Sequence, residues 1–348
     1  MTKLHHILAT LQLGLLMVVT LASCSGEEEI RQEEVQVPIN FASIADETEA
    51  VTRANTTLGR NFVVYGYKNA GGTEQTVFDG YKVNYLANSA GTSEDNTHNY
   101  YYVGIDNQTL KYWDFSASEY HFWGATGGTF NRDGTELTIS NLEQSVSEPD
   151  VTGKMFSSLY HRSPVTRDVV QLHFKRPYAK VRILFYCSDA LDVGDVVEIG
   201  TSTFGPEATG KIITGATLKV MYAKSGDVKE TYLTESTATS DKLNFGGVAL
   251  THLVGTASNN AVLAKPTDGT EYYYVVPYEY AEPFILNTKV EGDPKTAVVP
   301  ATLMQWKPNY VYTYIFKITE AGKKIEFYDV KIDPWKYGGS QNEEWKNW

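Results

Sequence analysis

An all-β fold arranged as two tandem antiparallel sandwiches is what this sequence predicts, and three observations carry that expectation. Apolar residues recur at period two or in short continuous runs, and few stretches repeat at helical spacing for three turns. Strand-favouring aromatics are plentiful, with 24 Tyr and 14 Phe in 348 residues. Clusters of Gly, Asn, Asp and Pro, including 28 Gly in all, punctuate the runs where hairpins would turn. The length suits two domains of ordinary size.

Residues 1–23 read as a signal peptide. Lys3, His5 and His6 form a short basic head, and 7–22 is an apolar run shorter than the roughly 20 residues of a spanning helix. Small residues precede Cys24, whose thiol can take a diacylglycerol thioether, and Leu21-Ala22-Ser23-Cys24 resembles a bacterial lipobox. Cys24 is therefore the expected lipidation site and the outer membrane the expected anchor, since several acyl chains hold a protein where one does not. Residues 24–53 form an acidic leader in which eight acidic residues stand against two arginines, a net of −6 out of −12 for the whole chain. The cluster Glu27-Glu28-Glu29 behind Cys24 also resembles the surface-export signal of Bacteroidetes lipoproteins, which implies display outside the outer membrane. The remaining body is only mildly acidic. That argues against nucleic acid, whose phosphates demand a basic face.

Late in the leader, Val35, Val37, Ile39 and Phe41 alternate with Gln36, Pro38, Asn40 and Ala42, the pattern of a half-buried strand standing just ahead of Arg53. Pro38 suits an edge position, where its missing N–H is not needed. Further strands are expected at 61–67, 100–105, 110–115, 120–124, 136–139, 169–174, 180–187, 216–222, 272–276, 284–290, 309–318 and 325–332. Turns are expected at 69–72, Asp133-Gly134 and Asp268-Gly269. A polar Ser- and Pro-containing stretch at 157–167 suggests a boundary, giving an N-terminal domain at 54–166 and a C-terminal one at 167–348. The second of the two cysteines, Cys187, lies in an apolar strand and reads as a core thiol, so no disulfide is expected.

The residues point away from an enzyme. Seven histidines are dispersed, without a His-x-x-x-His or Cys-x-x-Cys spacing, so the sequence indicates no metal site and no cofactor. There is no Gly-x-Ser-x-Gly elbow, phosphate-binding loop or dinucleotide fingerprint, and Thr126-Gly127-Gly128-Thr129 and Gly246-Gly247 read as turns. Oxygens at 95–99 and at Asp106-Asn107 lack the spacing of an ordered calcium loop.

Four blocks bring a family into view. Residues 111–124, with Tyr112-Trp113 and Tyr120-His121-Phe122-Trp123-Gly124, resemble an aromatic block of the fimbrillin-like family, the pilins of Bacteroidetes. Leu172-His173-Phe174 followed by Ala179-Lys180-Val181 is similar to its strand pair, with Pro177-Tyr178 departing from the usual filling. Trp306-Lys307-Pro308-Asn309-Tyr310-Val311-Tyr312 and Val330-Lys331-Ile332-Asp333-Pro334-Trp335 resemble its later strands, in the family's order. The resemblance implies two transthyretin-like sandwiches, a lipoprotein precursor, and removal of the leader by an arginine-specific protease, for which Arg53-Ala54 supplies the bond. Other fimbrial subunits are then the expected partners, a host or bacterial surface ligand a possible further one, and the fimbrium the final location.

Removing a strand at 35–41 would leave an apolar groove with unpaired backbone groups, a template for strand addition. The C-terminal segment could refill it: Tyr328, Val330 and Ile332 alternate with polar residues, and Trp335 adds apolar surface. The alternative is that 325–332 is the last strand of its own domain. Two further functional readings stand beside the pilin: a lipid-retaining anchor subunit, or a glycan- or host-binding lipoprotein that uses Tyr100–Tyr102, Trp345 and Trp348 as exposed stacking platforms. A surface hydrolase is the third class.

Overall fold

The computed structural model describes residues 36–44, 58–86, 99–149, 153–188, 191–192, 194–207, 210–225, 231–240, 242–251, 261–269, 271–319 and 324–335. By backbone contacts the chain divides into Met1–Val37 and Pro38–Trp348, and every strand described lies in the second unit. Among the described residues the chain is all-β, as the aromatic and period-two patterns require, with one 3-10 turn at Ala301–Leu303 and no α-helix.

An eight-stranded sheet runs in the order Phe41–Ile44, Val170–Lys175, Phe156–Ser157, Ala117–Ala125, Phe62–Ala70, Thr73–Tyr85, Tyr100–Tyr101, with Tyr160–Arg162 paired to Ala117–Ala125. A four-stranded sheet joins Thr231–Ser240, Ile212–Met221, Glu136–Glu143 and Thr129–Phe130. A five-stranded sheet orders Ala261–Ala264, Ala179–Cys187, Tyr310–Thr319 and Lys324–Pro334, with Tyr273–Val275 beside Ala179–Cys187. In the six-stranded sheet Phe284–Val290 pairs with Ser202–Pro206, Val196–Ile199 and Asp293–Val299. Most ladders are antiparallel. Among the described residues two run parallel: Phe41–Ile44 with Val170–Lys175, and Ala179–Cys187 with Tyr310–Thr319. Ala179–Cys187 is buried on both faces except at Tyr186, which is why 183–187 is a continuous apolar run, while Lys180 and Arg182 are buried charges against aromatic rings. Backbone pairing runs across residue 166, through Val170–Lys175 with Phe156–Ser157 and through Glu136–Glu143 with Ile212–Met221.

Turn chemistry sets several registers. Ala70 pairs with Thr73 across Gly71 and Gly72, whose φ of 61° and 76° make the two-residue turn that matches strand twist. A second such hairpin joins Val290 to Asp293 through Glu291 and Gly292, at φ 52° and 83°. Between the sheets, Trp123 stacks on Tyr67 at 5.5 Å and on Tyr222 at 5.1 Å, and its indole N–H donates to the Gly134 carbonyl at 2.7 Å. This column ties the eight-stranded sheet to the Ile212–Met221 region, and each such ring removes some 150–250 Å² from water.

Two expected strands are corrected. Residues 110–115 form no strand, because Asp114 turns the chain: it accepts from the Ser116 amide and hydroxyl and pairs with Lys68 at 2.5 Å. Those hydrogen bonds, the Lys68 bond foremost, hold its carboxyl down at about 2. The strand expected at 100–105 shrinks to Tyr100–Tyr101, since Gly104, Asp106 and Asn107 all take positive φ. Cys187 is buried, as expected of a core thiol.

Candidate functional site

Residues 38–44 form the edge of the eight-stranded sheet, with 41–44 bonded on one flank and Pro38 and Ile39 on the other. On one side Phe41–Ile44 pairs in register with Val170 to His173, and the Val170 amide donates to the Asn40 carbonyl at 2.9 Å. On the other side the Ile39 amide donates to the Lys111 carbonyl at 2.8 Å and Pro38 bridges Tyr112. The Tyr102 hydroxyl donates to the Ile39 carbonyl at 2.9 Å. Alternation sends Ile39, Phe41 and Ser43 inward, all buried. Phe41 sits among Phe78 at 5.2 Å, Tyr102 at 5.9 Å, Phe122 at 6.1 Å and Phe62 at 6.2 Å, and the Ser43 hydroxyl donates to Tyr100. The segment therefore fills a slot between Val170–Lys175 and the Tyr102 to Tyr112 stretch. It plugs an aromatic core.

Of the four residues expected in that strand, Ile39 and Phe41 lie here, Val37 belongs to the first unit, and Val35 lies outside the described residues, as do Cys24, Arg53 and Ala54. The slot's walls were not expected. Tyr100 and Tyr102 are buried, so they are core and hydrogen-bonding groups rather than exposed stacking platforms. Trp345 and Trp348 lie outside the described residues. Tyr100 and Tyr102 are buried around half-buried Tyr101, an alternation that the uniform run Tyr100-Tyr101-Tyr102 does not show.

The candidate refilling segment, Lys324–Pro334, is the outer strand of the five-stranded sheet and pairs antiparallel with Tyr310–Thr319 along its length. Its face is thinly covered: Tyr328 and Ile332 are each 49% exposed, and Val330 is half-buried. Trp335 is the opposite case, 2% exposed. Lys180 Nζ stands 4.1 Å and the Arg176 guanidinium 4.7 Å from its ring centroid, and its amide donates to the Asn309 carbonyl at 2.8 Å. Asn309 takes φ 67° and is buried; its side chain accepts from the Arg176 amide at 3.2 Å and its own amide donates to the Tyr178 carbonyl at 2.8 Å. Three of the sequence blocks thus meet at one junction, held by Tyr178, Asn309 and Trp335.

Lys180 makes this junction pH-sensitive. Burial pushes its ammonium down to about 8 from 10.5, partly offset by Glu148, while Tyr272 at 4.7 Å and Tyr274 at 5.3 Å add ring faces to that of Trp335. Between those two values the unfolded chain holds a proton that the native chain does not, so stability rises with pH across that window and the penalty is fully present below it. Relative to Lys180→Met, the wild type is expected to gain about 1–3 kcal/mol between pH 7 and pH 10.5, read from urea unfolding at each pH. Buried tyrosines common to both chains cancel in the difference. A flat difference would show that Lys180 titrates alike in the folded and unfolded chains.

The chain matches the Fimbrillin-like family over residues 48–335. Among solved structures it is similar to a fimbrial protein of Bacteroides vulgatus, at 13% identity over 86% of this chain and 99% of that one with a TM-score of 0.39. It is likewise similar to a fimbrial assembly protein of Parabacteroides distasonis, at 14% identity over 84% and 97% with a TM-score of 0.33. No curated protein matches it. The matched residues contain the Trp123 column and the whole Tyr178, Asn309 and Trp335 junction, and on that match across most of its length the chain belongs to the fimbrillin-like family, a membership that supports a fimbrial subunit at the cell surface.

Proposed function

We propose that the chain is a stalk or tip subunit of a surface fimbria, exported as a lipoprotein through Cys24 to the outer membrane, cut between Arg53 and Ala54, and polymerised by strand replacement in the service of adhesion. Within this reading the mature protein is structural rather than enzymatic, and its domains are two transthyretin-like sandwiches at 54–166 and 167–348, with Val170–Lys175 completing the first sheet. The observation that carries it is the plug geometry of residues 38–44: an edge segment whose loss bares the Val170–Lys175 edge and an aromatic slot at once. Burial of Ile39 and Phe41 contributes roughly 1.5–3 kcal/mol each, a strong drive for another apolar strand to enter. Lys324–Pro334, with Tyr328, Val330 and Ile332 presented at a sheet margin, and the residues beyond Trp335 are the candidate donors to the next subunit, giving an open head-to-tail polymer.

Treatment of the purified precursor with an arginine-specific protease is expected to yield an N-terminus at Ala54 and SDS-resistant ladders, and Arg53→Ala is expected to abolish both. Ladders built from Arg53→Ala chains, or assembled fibres that retain 24–53, would remove strand replacement and leave a lipid-retaining anchor.

A further inference from the structure

A side-chain cluster outside the slot has the makings of a metal centre, and it is independent of the fimbrial reading. Strand Tyr160–Arg162 pairs antiparallel with Ala117–Ala125 so that His161 stands directly opposite His121. Residues two apart on a strand share a face, which adds Glu119 to the same patch. His121 Nε2 lies 3.5 Å and His161 Nε2 3.3 Å from one and the same oxygen, Glu119 Oε2. All three donor atoms fall within 4.8 Å of one another, and the imidazole centroids are 4.6 Å apart.

The protonation of His121 sharpens this. Its Nδ1 is 3.0 Å from the Ala223 carbonyl, which can only accept, so the proton of the neutral ring is assigned to Nδ1 and the lone pair to Nε2. That Nε2 is fully buried and has no hydrogen-bond partner. A buried lone pair aimed at a carboxylate oxygen calls for a cation between them. Two ligands about 2.1 Å from a tetrahedral ion stand about 3.4 Å apart, which is the spacing of both histidine–glutamate pairs. The outer carbonyl on the far ring nitrogen is what orients a metal-binding imidazole.

The geometry points to a divalent ion of the zinc class held by His121 Nε2, His161 Nε2 and Glu119 Oε2. Two imidazoles with one carboxylate suit zinc, nickel or cobalt rather than calcium or magnesium. The His161 side chain is 31% exposed, so water completes the tetrahedron from that side. The ion clips Tyr160–Arg162, a strand of three residues lying off the main path of its sheet, onto Ala117–Ala125.

Zinc titrated into the untagged, chelator-treated chain is expected to bind at one ion per chain by calorimetry and to raise Tm above that measured in EDTA. Cobalt in its place should give the intense visible bands of a tetrahedral site. His161→Ala and the isosteric Glu119→Gln, checked for native near-UV circular dichroism in EDTA, should each weaken binding by more than the roughly 10–100-fold that losing an outer partner costs. His173→Ala and a His5→Ala, His6→Ala chain should bind as the wild type does. Absence of a zinc-dependent Tm rise, wild-type affinity in both cluster variants, or loss of the site in either control would overturn the assignment, the cluster then being an ion pair between Glu119 and protonated imidazoles.

Discussion

Phe41→Ala is expected to destabilise the uncut chain by about 3–5 kcal/mol in denaturant unfolding. The ring is fully buried and meets four other rings, Phe62, Phe78, Tyr102 and Phe122, so truncation opens a cavity inside an aromatic cluster instead of at a margin that could collapse. Rigid rings pack poorly around a void, which places the loss high in the range for Phe truncations. Ala42→Ser, at a half-buried position on the other face of the same strand, should stay within about 0.5 kcal/mol. The substitution also separates two fates of the segment. In a chain cut after Arg53 and freed of its leader, Phe41→Ala changes nothing, because the residue has left. Equal stability of variant and wild type in the uncut chain would mean that the slot does not depend on this strand, and strand replacement would lose its groove.

What was legible in the sequence followed from local pattern. Ile39 and Phe41 alternate with Pro38, Asn40 and Ala42 and do point inward, and 183–187 reads as a continuous apolar run because both faces of its strand are covered. Strand Thr73–Tyr85 escaped because its first half is exposed and polar, leaving Phe78 and Val83 as its buried apolar residues, and an exposed hairpin arm has little period-two contrast. Ile212–Met221 was recognised only from residue 216, since register shifts between Ile213 and Ala216 break its alternation. The tyrosines at 100 and 102 were visible as aromatics, but not as walls of a slot. Their partners, Ser43, Gly59 and Ile39, are distant in the chain. The same holds for Glu119, His121 and His161: a strand pairing brings them together, and no spacing rule for helical or looped metal ligands reaches across it. Asn309 is intermediate. Its block was recognised, whereas its left-handed backbone and its role as the knot between residues 176–178 and Trp335 belong to tertiary structure.

Trp335→Ala is expected to cost the uncut monomer about 3–5 kcal/mol. Its indole is 2% exposed, packs against Tyr274 at 5.6 Å, and is flanked by Lys180 and Arg176, two cations over the ring that add about 0.5–2 kcal/mol each beyond the buried area. Trp335→Phe keeps a ring face for both cations and should lose roughly half as much. This residue bears on how far a donor could peel away. Lys324–Pro334 has a thinly covered outer face, yet its backbone pairs with Tyr310–Thr319 along its length, Ile325 is buried, and Trp335 pins its end to the Tyr178 and Asn309 junction. A donor drawn from 324–334 must first unseat that ring, whereas one drawn from 336–348 need not. Ladder formation after leader removal distinguishes them: faster or more complete ladders in Trp335→Ala than in wild type would identify the peeled strand as donor. Wild-type ladders from a destabilised monomer would place the donor beyond Trp335. A monomer of unchanged stability would show that the indole is not seated in its own chain at all.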